Sequence, residues 1–279
     1  MGNKNIILWF TLIISVHYWS CNRNVIAKGN FPKSEMQYYT GSSSIVGVTD
    51  TSDENKVHSD PIVLCYHQIR DCDGNDSKAA RPYIVPVSKF RTQMKFLYEN
   101  GYHTILPNQL VNFYQQGEKL PDKPLLLTFD DGTISQYLNA LPELEQYGFK
   151  ATFFIMTVTI GRSGYMAGKD IRYLADNGHI IGCHTWDHHN VTQYKNNDWK
   201  IQLKKPTELL QKITGNPIEY FAYPYGAWNL SAIEYLKEGG YHAAFQLSGK
   251  KDKPASLYTI RRMIVDGNWS MKQFETEFR

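Results

Sequence analysis

From Pro61 onward the chain alternates short apolar runs with longer stretches of helical spacing. The apolar runs fall at residues 62–66, 125–129, 151–155, 179–183, 219–222, 243–246 and 260–265, with a weaker one at 103–106. Their lengths suit buried strands. Between them, residues 88–100, 109–116, 134–147, 169–177, 198–214, 230–238 and 271–278 space their apolar side chains as helices do. Gly101, Gly148, Gly178, Gly215 and Gly239 follow five of these segments, where a helix ends most easily in a left-handed residue. A strand–helix alternation predicts a mostly parallel sheet of the α/β class. Seven or eight such units predict a distorted or incomplete (β/α)7-8 barrel, with an open doubly wound sheet as the alternative.

The first sixty residues have a different texture. Lys4 precedes an apolar run at 6–16 and a short stretch ending Ser20–Cys21. A charged start, an apolar run of intermediate length and a small residue before the break are the marks of a secretory signal. A Cys directly after the cleavage point resembles a bacterial lipoprotein signal, in which Cys21 would carry the lipid. Residues 22–60, with Gly41-Ser42-Ser43-Ser44 and a polar run at 49–60, read as a flexible tether. The organisation expected is therefore a signal at 1–21, a tether at 22–60 and one folded domain at 61–279. The product would be exported to the cell envelope, lipid-anchored through Cys21 or secreted, and would touch a membrane only through that anchor.

Composition narrows the choice of partners. Thirty basic against 27 acidic side chains give a formal charge of +3, too balanced for the dense basic face that nucleic acid requires. No apolar run reaches the ~18–20 residues of a membrane span. Four Cys in 279 residues make no disulfide scaffold, and Cys65 and Cys183 lie in apolar runs where buried thiols are expected. Aromatic residues reach 14%, enough that some could line a sugar-binding surface as well as the core. No feature calls for a second subunit, and a monomer is expected.

The chemistry sits where the predicted strands end. In a β/α barrel, reactive side chains gather at the C-terminal ends of the strands. His67 follows the first run, Asp130-Asp131 follows 125–129, His184 follows 179–183 and Tyr223-Pro224-Tyr225-Gly226 follows 219–222. One Asp before a helix would serve as a cap, but two adjacent carboxylates repel as a strand emerges from a core. A divalent cation removes that conflict: one carboxylate ligates while the other acts as a base. His184 and His188 are four residues apart, a spacing that turns two imidazoles to one side, although His189 competes for the second position. Two His and one carboxylate form a three-ligand set with room for water, as at catalytic zinc sites.

These residues resemble the polysaccharide deacetylases of the NodB-homology type (carbohydrate esterase family 4). Thr128-Phe129-Asp130-Asp131-Gly132 is similar to the first motif of that family, and His184-Thr185-Trp186-Asp187-His188 to the second. The resemblance spans residues 61–265 and looks closest to the branch acting on poly-N-acetylglucosamine. It implies a distorted β/α barrel and metal-dependent hydrolysis of N-acetyl groups on an amino-sugar polysaccharide, in cell-envelope and biofilm carbohydrate metabolism. It further implies Asp130 as catalytic base, with Asp131, His184 and His188 as metal ligands. Zn²⁺ suits that set, and Co²⁺, Ni²⁺ or Fe²⁺ would also fit.

The departures are specific. The third motif normally carries an Arg that orients the base; here it reads Ala222-Tyr223-Pro224-Tyr225-Gly226. Tyr225 keeps the position whose backbone N–H holds the oxyanion. Arg262, or alternatively Arg261, could supply the lost cation from the last strand. The fourth motif is not recognisable. The C-terminal Leu-x-His is absent, and Leu64-Cys65-Tyr66-His67 stands instead at the start of the domain, as in the poly-N-acetylglucosamine branch. His67 is accordingly the candidate general acid, its alternative being a structural His after a strand. Tyr223, Trp186 and Leu64 join Tyr225 and Arg262 as candidates for binding substrate, and Leu247 could line an acetyl pocket. Two other readings stay open: a non-catalytic glycan-binding lipoprotein on the same scaffold, and a deacetylase acting on peptidoglycan.

Overall fold

The computed structural model describes residues 60–247 and 257–278. The signal and tether expected before residue 60 lie outside them. The strands are β1 (Ile62–Tyr66), β2 (Gln68–Ile69), β3 (Ile84–Val85), β4 (His103–Thr104), β5 (Pro124–Phe129), β6 (Thr152–Ile155), β7 (Ile180–Cys183), β8 (Tyr220–Ala222), β9 (Ala243–Gln246), β10 (Ile260–Arg261) and β11 (Met263–Ile264). The helices are α1 (Val87–Glu99), α2 (Pro107–Gln116), α3 (Leu141–Gln146), α4 (Gly168–Asp176), α5 (Lys205–Thr214), α6 (Leu230–Glu238) and α7 (Met271–Thr276). No helix among the described residues is long and apolar enough to cross a membrane.

Nine strands form one parallel sheet in the order β10-β9-β8-β7-β6-β5-β1-β11, with β4 on the lower part of β5. The two ends of that order are two halves of one chain segment. β10 pairs with β9, and β11, beginning one residue later, pairs with β1. The run at 260–264 therefore spans the gap between the first strand and the last. Counted as one interrupted strand, it closes the sheet into a nearly complete barrel of eight strands. The interruption falls at Arg262, whose N–H donates to Gln246 while the Val265 N–H donates to Cys65.

Strand alternation sorts side chains into two cores. Leu64, Tyr66, Leu125, Leu127, Phe129 and Phe153 pack outward among the helices. Val63, Leu126, Phe154, Tyr220, Ala222, Ala243 and Phe245 fill the barrel, and Leu110 and Val111 of α2 join them. Gly182 is small for a reason: a Cβ there would lie 2.4 Å from the Phe154 ring and 2.9 Å from the Tyr220 carbonyl. The ring of Phe154 takes that space and lies 5.3 Å beneath the Arg262 guanidinium. The same alternation carries the inward column of β1 through Cys65 to His67, and that of β5 through Thr128 to Asp130.

Two helical segments begin as π-turns, Gln136–Ala140 before α3 and Lys200–Lys204 before α5. Each precedes a proline at the second position of the α-helix, Pro142 or Pro206. A proline ring collides with the carbonyl four residues back, and a widened turn relieves that contact. The Leu141 and Lys205 N–H groups accordingly reach five residues back, to Gln136 and Lys200.

His179, just before β7, is buried with one ring nitrogen bonded and Nε2 without a partner. Its Nδ1 accepts the Ala151 N–H at 3.1 Å, and its ring meets Phe153 edge-on. Burial, assisted by the Lys150 charge, pushes its pKa down to about 4. The folded state thus prefers neutral His179, so its contribution is full above the unfolded value near 6.5 and is lost as pH falls towards 4. The loss amounts to roughly 3 kcal/mol. Between pH 7.5 and 4.5, His179→Gln should lose roughly 2 kcal/mol less unfolding free energy than the parent in urea titrations of metal-free protein. Equal pH dependence in the two proteins would show that His179 is not the group responsible.

Candidate active site

Four strand ends deliver the candidate residues to one rim. β5 leads into Asp130 and Asp131, β7 into His184, β1 into His67, and β8 into the turn holding Tyr225. The turns are tightly bent. Asp131, Thr185, His188 and Tyr225 have φ of 74°, 67°, 67° and 60°, and they are four of the six non-glycine residues with positive φ among those described. For β-branched Thr185 this is a costly conformation, of the kind retained where a loop must present particular groups. Gly226, also left-handed, lies against Leu247, where a Cβ would come within 2.4 Å of the backbone nitrogen.

Asp130 is fully buried and bound by a two-point fork. Arg262 Nη1 donates to Oδ1 and Nη2 to Oδ2, each at 2.6 Å. Arg262 Nη1 also donates to Thr128 Oγ1, and the Cys65 thiol faces Asp130 Oδ2 at 3.5 Å. Burial alone would raise the Asp130 pKa, but the Arg262 charge outweighs it and holds the carboxyl well below the usual range. Asp130 is therefore an ionised, oriented carboxylate. Arg261, the alternative cation, is exposed and does not share this contact.

Asp131, partly exposed, faces the two imidazoles. Its Oδ1 lies 3.6 Å from His184 Nε2 and 3.8 Å from His188 Nε2. His184 Nδ1 is 2.7 Å from the Ala222 carbonyl, which can only accept, so Nδ1 carries a hydrogen and Nε2 is the ring nitrogen turned to Asp131. That Nε2 is buried without a hydrogen-bond partner. Burial and the neighbouring His184 push the His188 pKa down to about 4, which leaves its ring neutral at neutral pH. One ligand atom from each of the three residues lies within 4.8 Å of the others. An orphaned imidazole nitrogen on His184, the neutral imidazole of His188 and a carboxylate oxygen of Asp131 form a donor set that fits a divalent cation. His189 does not join it; its ring packs on Tyr194.

A second set, Cys65, His67 and Asp130, is equally close, but it suits a cation poorly. Both Asp130 oxygens are committed to Arg262, and burial pushes the Cys65 thiol pKa up, so no thiolate forms. His67 stands across the cleft from the imidazole pair. Its Nδ1 is buried without a partner, its ring meets Tyr83 edge-on at 4.9 Å, and burial lowers its pKa.

A cleft of about 320 Å³ joins these groups, lined by His67, Gln68, Ala80, Tyr83, Asp130, Asp131, His184, His188, Tyr225 and Leu247. This is at the small end of the range for ligand pockets. Tyr225 is 63% exposed, and its ring lies 4.5 Å from that of His188.

Three candidates for substrate contact lie outside the lining of this cleft. Tyr223 is fully buried with its ring against Phe221, because the strand parity that ends β8 turns it into the helix-side core. Leu64 is fully buried in that same layer. Trp186 is half-buried and absent from the cleft lining; its backbone N–H donates to Gln202 and its carbonyl accepts from Val158. Sequence patterning missed Tyr83, Cys65, Gln136 and Gln202. Cys65 had a usable signal, since it lies two residues before His67 on the same face of β1. Tyr83 had none, lying in a stretch without periodicity.

The chain is similar to known proteins. Residues 117–244 match the family described as polysaccharide deacetylase. The chain is 27% identical over 229 residues to the poly-beta-1,6-N-acetyl-D-glucosamine N-deacetylase of Staphylococcus aureus (strain MRSA252), covering 73% of this chain and 78% of that one. It is 26% identical over 261 residues to the protein of the same name from Escherichia coli (strain K12), covering 78% of this chain but 38% of that longer one. Among solved structures, BC0361, a polysaccharide deacetylase from Bacillus cereus, aligns with a TM-score of 0.68 and 25% identity over 78% of this chain and 68% of its own.

Proposed function

Because this chain carries a polysaccharide deacetylase domain of the NodB type, we propose that it is an amide hydrolase removing acetyl groups from N-acetylglucosamine units of a poly-N-acetylglucosamine-like polymer. The observation that carries this reading is the pairing at one strand end. Asp131 Oδ1 faces both imidazoles, while adjacent Asp130, whose Oδ2 lies 3.9 Å from His184 Nε2, is an ionised carboxylate bonded at both oxygens by Arg262. Binding a glycan needs no such division of two acids, which weighs against a non-catalytic lipoprotein. Arg262 also answers for the Arg missing from the third motif.

Asp131, His184 and His188 would hold the cation, with Zn²⁺ the ion that their chemistry suits best. A bound divalent ion would polarise the acetamide carbonyl and acidify water. Asp130 takes the proton of the attacking water, the Tyr225 N–H donates to the developing oxyanion, and His67 gives its proton to the departing amine. An amine leaves poorly unless protonated, so the acid matters as much as the base. The products are acetate and a glucosamine unit. We place the enzyme in the cell envelope, held by a lipid on Cys21; the support is the sequence at 4–21 alone.

Acetate release tests the reading. Wild-type protein with Zn²⁺ should deacetylate poly-N-acetylglucosamine oligomers, a chelator should abolish this, and peptidoglycan should be a poor substrate. Reversing that preference would move the assignment to the cell wall, and tight glycan binding without any acetate would favour the non-catalytic reading. His184→Ala should lose both bound zinc, read by metal analysis, and turnover by about two orders of magnitude or more.

A further inference from the structure

Two buried glutamines are not used by the chemistry above, and each lies on one of the π-turns. Gln136 Nε2 donates to the His67 carbonyl at 2.6 Å and to the Asp130 carbonyl at 2.5 Å. Two acceptors settle which end of the amide is nitrogen and use both of its hydrogens. Its neighbours hold the same strand end. Thr133 Oγ1 donates to the His67 carbonyl, Ser135 Oγ accepts from the Ile69 N–H, and Asn139 Nδ2 donates to the Ile69 carbonyl. One helical segment thus latches the backbone of residues 67–69. Gln202 serves the opposite wall. Its Oε1 accepts the N–H groups of Trp186 and Asp187, and its Nε2 donates to Asp187 Oδ1 at 2.8 Å. That loop ends at His188.

We propose that Gln136 and Gln202 are positioning residues with separate duties: Gln136 sets the general acid His67, and Gln202 sets the ligand His188. The proposal rests on the function above. The duties separate because Asp130 has its own hold in the Arg262 fork, whereas the His67 ring makes no hydrogen bond through Nδ1 and depends on its backbone.

The full-length protein and its Gln136→Leu and Gln202→Leu variants would be assayed on an N-acetylglucosamine oligomer and on an aryl acetate ester. In the amide, the C–N bond breaks and nitrogen must receive a proton; in the ester, the C–O bond breaks and an aryl oxide of low basicity departs without one. Gln136→Leu should lower kcat on the amide about 30-fold, with KM unchanged, ester turnover within about threefold of wild type and zinc affinity intact. Gln202→Leu should weaken zinc binding to the metal-free protein by about tenfold or more in calorimetry, with saturating zinc restoring both substrates together. The proposal is overturned if either variant matches wild type, or if both lose amide turnover, ester turnover and zinc binding in common proportion. Should Gln136→Leu fail to fold, Asn139→Ala cuts the same latch at a partly exposed position; it must show a smaller amide-selective loss or the proposal falls. Wild type inactive on both substrates would refute the function proposed above, and the zinc arm would still decide Gln202.

Discussion

Asp130→Asn should lower kcat by about 10²–10⁴ while leaving zinc affinity within a few-fold of wild type. The substitution keeps size and shape but removes the carboxylate proposed to accept the proton of water. The proposed metal ligands are untouched, since both Asp130 oxygens bond Arg262 and Asp131 is the carboxylate that faces both imidazoles, Asp130 Oδ2 lying 3.9 Å from His184 Nε2. Losing the carboxylate charge also strands a buried guanidinium, so stability should fall by roughly 3 kcal/mol. Kinetics on zinc-loaded protein, together with a zinc titration, check both halves. Near-normal activity would show that Asp130 is not the base; lost zinc would show that it is a ligand.

The second large effect lies in the other half of the fork. Arg262→Met should cost about 3–5 kcal/mol, because it leaves Asp130 fully buried without its counter-charge. Turnover should fall by at least about a hundredfold, since the base loses both its orientation and its ionised form. Stability alone does not identify the pair, so the double variant is decisive. With Asp130→Asn and Arg262→Met combined, neither charge is stranded, and the loss in urea unfolding should be smaller than the sum of the singles by about 2 kcal/mol or more. Additive losses would mean that the fork contributes no coupling. Activity should not return in the double variant.

The periodic part of the chain was legible because it is periodic. Strands at 62–66 and 243–246 and the helix at 230–238 coincide with their predicted limits, and the remaining predicted elements differ mainly by end residues. The barrel followed from the order of those elements. The run at 260–265 was read as one strand, yet it divides at Arg262, because its two halves pair with different neighbours on either side of the seam. Pairing of that kind is a long-range property that hydrophobicity does not record. The two-residue strands β2 and β3 are too short to generate a period, and the cleft wall that they bring, with Tyr83, was invisible for the same reason.

The site divides along a similar line. Asp130, Asp131, His184 and His188, which the fold brings together, stood out as candidates because their chemistry is conspicuous and they lie just beyond apolar runs. Position at a strand end says little about which way a ring turns: strand parity carries Tyr223 into the helix-side core, and the left-handed turn two residues on brings Tyr225 to the cleft. Arg262 was the harder inference. It depended on the first and last strands being neighbours, which closure of the barrel supplies. The glutamines had no sequence signal, since an amide does its work through backbone groups that only the fold brings near.

Anomalous diffraction at the zinc edge, from crystals of the zinc-loaded protein, tests the central claim most directly. The predicted map has one strong peak about 2.0–2.2 Å from an Asp131 oxygen, His184 Nε2 and His188 Nε2 together, with the Asp130 carboxylate still in the Arg262 fork. A peak elsewhere, or Asp130 drawn out of the fork to ligate the ion in place of Asp131, would contradict it.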